Sequence, residues 1–167
     1  MTPVPFNPAA LKEGDCLLYK PSGVFGWIIS IKTWHAIGHC EGFLGTDLIG
    51  RRWSVASRDG PGVNTYELRT KGLALVLRPI QPFDQAAALE WFRQKALGQK
   101  YDWLGLIRFA WRAKVVPDRV DNKQFCSEFL ARWYRAGGLD CFNGTDADAV
   151  APFMFELSPY LQTVWRA

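Results

Sequence analysis

Phe125-Cys126-Ser127-Glu128-Phe129 opens the stretch that decides how this chain is read. A cysteine stands just ahead of an apolar run, Phe129, Leu130, Trp133 and Tyr134, which recurs at helical spacing and stops at Gly137-Gly138, a helix-ending signal. The pattern predicts a helix with Cys126 in its first turn. Backbone N–H groups without intrahelical partners and the positive end of the helix dipole favour a thiolate there. The thiolate is the nucleophile that cysteine hydrolases use. A cysteine on an amphipathic helix is more often a small buried hydrophobe, so the rest of the chain has to carry the argument.

The two histidines, His35 and His39, fall in one short upstream segment. Gly38-His39-Cys40-Glu41-Gly42-Phe43-Leu44-Gly45 reads as a strand. Residues two apart share a face of a strand, so His39 and Glu41 point one way and Cys40 the other. A base with a carboxylate beside it, and a distant cysteine on a helix, is a cysteine–histidine–acid arrangement. His35 lies between Trp34 and Ala36 with no acid two residues on, and is the dispensable histidine. Glu41 is the first candidate to orient His39. Asp59, in the Arg58-Asp59-Gly60 turn, and Ser54 or Ser57 are the alternatives.

Two further stretches join these: Glu13-Gly14-Asp15-Cys16-Leu17-Leu18-Tyr19, and Gly98-Gln99-Lys100-Tyr101-Asp102-Trp103-Leu104-Gly105. Together they resemble the NlpC-type papain-like cysteine hydrolases, and within them the circularly permuted branch of YiiX-like amidases and lecithin:retinol acyltransferase-like proteins. The likeness spans about residues 11–137: a Gly-Asp strand, a helix, a strand with a small residue before His, a Gly-x-x-Tyr helix start and a Cys-Ser-Glu helix, in that order. The usual serine before the histidine is Gly38 here.

The resemblance implies a papain-like fold, a small antiparallel sheet against helices, and acyl transfer through an acyl-enzyme on Cys126. It implies the Tyr101 hydroxyl as an oxyanion donor beside the backbone N–H at the helix start. Ser127 and Trp34 join Tyr101 as oxyanion or substrate-contacting candidates. It also places the orienting polar group near Val55, which cannot serve. The implied substrates are peptide or isopeptide bonds, peptidoglycan stem peptides, or lipid acyl groups. The alternative from another class is a non-catalytic structural or binding module of the same fold, such as a phage virion component.

At 167 residues, half of them hydrophobic, the chain is long enough for a single domain with a real core. The net charge of +4 comes from scattered basic residues and suits solubility or an anionic surface. No nucleic-acid motif is present. No basic n-region with an apolar core is seen at the N-terminus, and no run of about 18 apolar residues. The four cysteines, Cys16, Cys40, Cys126 and Cys141, have no Cys-x-x-Cys spacing and read as reduced thiols, with Cys16, Cys40 and Cys141 structural. A cytoplasmic or phage-associated setting is expected, without cofactor. A zinc site from His35, His39, Cys40 and a distant cysteine matches no standard spacing.

Strands are predicted over 15–20, 37–44, 51–57, 63–68 and 73–78, the last nearly all apolar and therefore internal. Helices are predicted over 24–33, 84–97, 102–112 and from Cys126, with a polar loop over 117–123. Residues 1–10 read as a lead-in and 138–167 as irregular. Strands first and helices later predict an α+β fold.

Overall fold

A computed structural model of the chain describes residues 5–23, 27, 30–31, 34–102 and 124–167. Six strands form one sheet: β1 (Cys16–Tyr19), β2 (His39–Thr46), β3 (Arg52–Arg58), β4 (Gly62–Glu67), β5 (Leu73–Pro79) and β6 (Leu161–Arg166). Their order is β4-β3-β2-β1-β5-β6, and every pairing is antiparallel. The fold is α+β, as the order of elements predicts. The five predicted strands all form, each shifted by up to two residues, and the apolar β5 is internal, between β1 and β6.

The predicted irregular tail over 138–167 is corrected. It contains a 3-10 turn, Ala147–Ala149, a short helix and β6, which pairs with β5 from Pro79↔Leu161 to Leu75↔Arg166. β6 is an edge strand with mostly exposed residues, so it lacks the apolar alternation that marks a strand in sequence.

Helix α1 (Gln85–Trp91) starts where Asp84 accepts the Ala87 N–H at 3.0 Å and runs on into a π-helical turn, Phe92–Ala96. Helix α2 (Cys126–Ala136) has Cys126 as its first residue and ends at Gly137, as the periodicity predicts. Helix α3 spans Met154–Leu157. The predicted helices over 24–33 and 102–112, and the polar loop over 117–123, fall largely outside the described residues. No helix among the described residues is long and apolar enough to cross a membrane.

Strand alternation divides the core. Cys16, Leu18, Cys40, Val55, Leu75 and Leu77 face α2, whose Phe129, Leu130, Trp133 and Tyr134 are buried against them. Leu17, Tyr19, Phe43, Leu73 and Val76 lie on the other face, under Phe6, Leu11 and Trp165. Helix α2 sits almost on the backbone of β2: a Cβ at Gly42 would stand 2.6 Å from the Trp133 ring. The Gly14-Asp15 turn is pinned from within. Asp15 accepts the Lys12 N–H at 2.8 Å and both Nε and Nη2 of Arg78, at 2.8 and 2.7 Å. The Tyr134 hydroxyl donates to the Gly14 carbonyl at 2.7 Å, which ties α2 to the start of β1.

Candidate active site

The β2–β3 pairing runs from Gly42↔Val55 to Thr46↔Arg52, while β1 pairs with β2 as far as Tyr19↔His39. The first three residues of β2, His39, Cys40 and Glu41, are therefore held by β1 alone. The start of α2 is brought to this open end. Gln124 donates its N–H to the Lys100 carbonyl at 3.1 Å and accepts the Asp102 N–H at 3.4 Å and the Ser57 hydroxyl. The Lys100–Asp102 segment is held in turn by Val63, whose N–H donates to the Gln99 carbonyl at 2.8 Å. Gly62 permits that approach: its φ is +75° and a Cβ there would lie 2.1 Å from the Gln99 oxygen.

Cys126 is in hydrogen-bond contact with both His39 and Cys40. Its thiol is held well below the usual cysteine range, first by the hydrogen bond from the Cys40 thiol, against burial, and then by His39 and the Cys40 backbone N–H. The Cys40 thiol moves the opposite way, up, by burial and by its role as donor to Cys126. On His39, burial pushes downward, but Cys126 and then Glu41 outweigh it and lift the imidazole to about 9. The Nε2 of His39 lies 2.9 Å from Glu41 Oε1, which leaves Nδ1 as the ring nitrogen for Cys126.

Glu41 has no exposed surface. Ser54 Oγ donates to it at 2.6 Å, Arg58 donates from Nε at 2.9 Å and Nη2 at 3.0 Å, and Arg69 Nη2 stands 3.5 Å away. Burial would raise its carboxyl, but His39, Arg58 and Ser54 hold it at about 2, so the acid is ionised throughout the neutral range. Arg58 lies 4.0 Å over the Tyr66 ring and Arg69 4.8 Å over the Tyr19 ring.

The remaining sequence candidates divide. Tyr101 is buried, and burial followed by the nearby Cys126 and Cys40 sulfurs pushes its phenol up, so the hydroxyl keeps its proton beside the thiol pair. Ser127 is buried and its hydroxyl donates to the Val150 carbonyl at 2.6 Å, which leaves its backbone N–H, not its side chain, at the helix start. Trp34 is 94% exposed with φ +53° and closes no buried wall. Asp59 is exposed in its turn, and Ser54 bonds to Glu41 rather than to His39. Ser57 bonds to Gln124. Val55 faces the core under α2. His35 stacks on Phe153 at 4.9 Å between ring centroids, 3.9 Å from Glu156. All four cysteines are free buried thiols.

Two groups were missed by sequence reasoning. Cys40 does face away from Glu41, as alternation requires, and is buried in the core as expected, but it is also a hydrogen-bond partner of Cys126, a contact the sequence did not show. Arg58 and Arg69 were passed over because Arg58 was read only as part of a turn. The alternation Ser54, Ala56, Arg58 puts all three on one face, and the hairpin register brings Arg58 level with His39.

Glu128, in the first turn of α2, accepts the Phe125 N–H at 3.4 Å and pairs with Arg132 at 3.0 Å. Burial nevertheless pushes its carboxyl up to about 7, with Arg132 opposing.

The fold places the chain among proteins of known structure. It resembles the crystal structure of the metalloprotein YiiX from Escherichia coli, a member of a domain family of unknown function. The likeness has a TM-score of 0.65 at 17% identity and covers 93% of this chain and 97% of that one. This likeness establishes a YiiX-like fold. No family model matches the sequence, and no curated protein does.

Proposed function

We propose that the chain is a cysteine-dependent acyl-transfer enzyme, a hydrolase or acyltransferase that cleaves an amide bond through an acyl-enzyme on Cys126. One arrangement carries the reading: a helix-start thiol lies against a histidine whose other ring nitrogen is bound to a buried carboxylate. We read the fold as papain-like and permuted, because the strand of the base precedes the helix of the nucleophile.

In this mechanism Cys126 and His39 rest as thiolate and imidazolium. The thiolate attacks the carbonyl carbon. Backbone N–H groups at the start of α2 and the Tyr101 hydroxyl stabilise the oxyanion. His39 gives its proton to the leaving amine, and then takes one from the water or other acceptor that releases the acyl group. Glu41 holds the ring orientation and stabilises the imidazolium. Cys126 has no exposed surface, while the His39 side chain is 14% exposed, so a substrate enters on the His39 side and displaces atoms over the sulfur.

YiiX of Escherichia coli is described as a metalloprotein. Among the described residues of this chain, no three His, Cys, Asp or Glu side chains converge as a metal-binding set, and His39 and Glu41 already hold each other. The described residues do not fit a resident metal, and no step is assigned to one.

The test is turnover of purified protein on peptides, peptidoglycan sacculi and acyl lipids, beside Cys126→Ala. Turnover on one class that vanishes in Cys126→Ala is the expected result. Equal turnover in both proteins overturns the reading.

A further inference from the structure

Glu41 has more cationic partners than a histidine-orienting acid needs. Arg58 already neutralises it through two short hydrogen bonds, and Arg69 adds a second guanidinium at longer range. Among the described residues, Arg58, Arg69 and His39 pair with Glu41 and Cys126, three cationic groups against two anionic ones, which leaves a surplus positive charge there.

That surplus rests on Arg69. The oxygens of Glu41 are taken by Ser54, His39 and Arg58 at 2.6–3.0 Å, against 3.5 Å for Arg69. The Nε of Arg69 is buried and has no hydrogen-bond partner. A buried donor without an acceptor is unfavourable and calls for an explanation, and an absent ligand is one. Its position is fixed nonetheless. The guanidinium lies on the Tyr19 ring, and the Tyr19 hydroxyl donates to the Arg69 carbonyl at 3.1 Å. The Tyr19 ring centroid is 5.9 Å from that of His39. The Arg69 side chain is 38% exposed, whereas Glu41 is sealed, so solvent meets the cation and not the acid. A guanidinium with an unpaired donor and a partly exposed side chain matches the planar geometry of a carboxylate and the oxygens of a phosphate.

We propose that Arg69, backed by Arg58, is an anion-recognising subsite beside the Cys126–His39 pair, so that the substrate carries a carboxylate or phosphate near its scissile acyl group. The proposal rests on the acyl-transfer reading of Cys126 and adds to it the charge of the substrate.

The test uses two small alkylating reagents that differ in charge. The full chain is treated with iodoacetate, an anion, or iodoacetamide, which is neutral, and carboxymethylation or carbamidomethylation of Cys126 is followed by mass spectrometry. The iodoacetate-to-iodoacetamide rate ratio should exceed that of a free thiol by about tenfold, a steering effect of ordinary size. It should fall about fivefold or more in Arg69→Gln and recover in part in Arg69→Lys, which keeps the charge. The His39 imidazolium also attracts iodoacetate, but it is common to all three proteins. Inorganic phosphate and acetate, compared with chloride at equal ionic strength, serve as competitors in the native protein. Stronger slowing by phosphate assigns a phosphate-bearing substrate, and stronger slowing by acetate a carboxylate-bearing one. An unchanged ratio in Arg69→Gln overturns the subsite. Should that variant not fold, equal labelling in phosphate, acetate and chloride overturns it instead. Labelling of Cys126 by iodoacetamide without any anion preference removes the subsite alone. Failure of both reagents to modify Cys126 removes the acyl-transfer reading and the subsite with it.

Discussion

The Cys40 thiol is a hydrogen-bond partner of the Cys126 sulfur, and it favours the thiolate there while its own proton is held more tightly. Cys40 thus acts on the proposed nucleophile from the strand face opposite Glu41. Cys40→Ala removes the donor and should move the pH midpoint of Cys126 alkylation upward by about one unit or more. Cys40→Ser retains a donor and should shift it less. Identical midpoints in all three proteins would show that the Cys40 side chain does not hold the thiolate.

Glu41→Gln should lower turnover by at least about tenfold, because the imidazolium loses its counter-charge. The structure adds a second effect. Arg58 and Arg69 lose the carboxylate they flank, and removing one partner of a buried pair costs about 3–5 kcal/mol, less here because both arginines are partly hydrated. Thermal unfolding should therefore shift downward by several degrees along with the rate. A variant with full turnover removes Glu41 from the catalytic set.

His39→Ala should abolish turnover and slow alkylation of Cys126 at neutral pH. His35→Ala should spare both, since His35 is packed against Phe153 and Glu156, away from the sulfur. The reverse pattern, measured by the same two assays, would assign the base to the wrong histidine.

Turnover should depend on pH as a bell. The working form has Cys126 deprotonated and His39 protonated. Cys126 is held well below the ordinary thiol range, first by Cys40 and then by His39, so the acid limb lies well below that of a free thiol. His39 loses its proton at about 9, which sets the alkaline limb. Alkylation of Cys126, which needs only the thiolate, should follow the acid limb and not fall on the alkaline side. A single limb rising towards pH 9 would mean an ordinary thiol.

What sequence could reveal was local. The 3.6-residue recurrence from Phe129 to Tyr134 fixed α2, and Gly137 its end. Alternation in 39–44 put His39 and Glu41 on one face, where they bond at 2.9 Å. What it could not reveal depends on registers between distant strands. Arg58 reaches Glu41 only through the β2–β3 pairing, and Arg69 only after β4 returns along β3. Cys40 meets Cys126 because α2 packs on the face of β2 to which alternation turns Cys40, a packing that no local pattern announces. β6 was missed for another reason: an edge strand with most of its residues in water has no need of an apolar face.

Gly42 has a consequence that reaches the chemistry. It is a point of close contact between β2 and α2, three residues from the base on one side and, through Trp133, on the helix that begins with the nucleophile. No side chain cushions the contact, so any substituent at 42 acts as a wedge between the two halves of the proposed reaction centre. Gly42→Ala forces a gap at 2.6 Å to open, and overpacking of this kind costs about 1–3 kcal/mol. Because a displacement near 1 Å can slow an enzyme about a hundredfold, the variant should lose turnover far more than its melting temperature suggests. Combining it with Trp133→Phe, which thins the helix at the same point, should return part of the rate. In this chain the spacing between acid–base and nucleophile is set by the absence of one side chain.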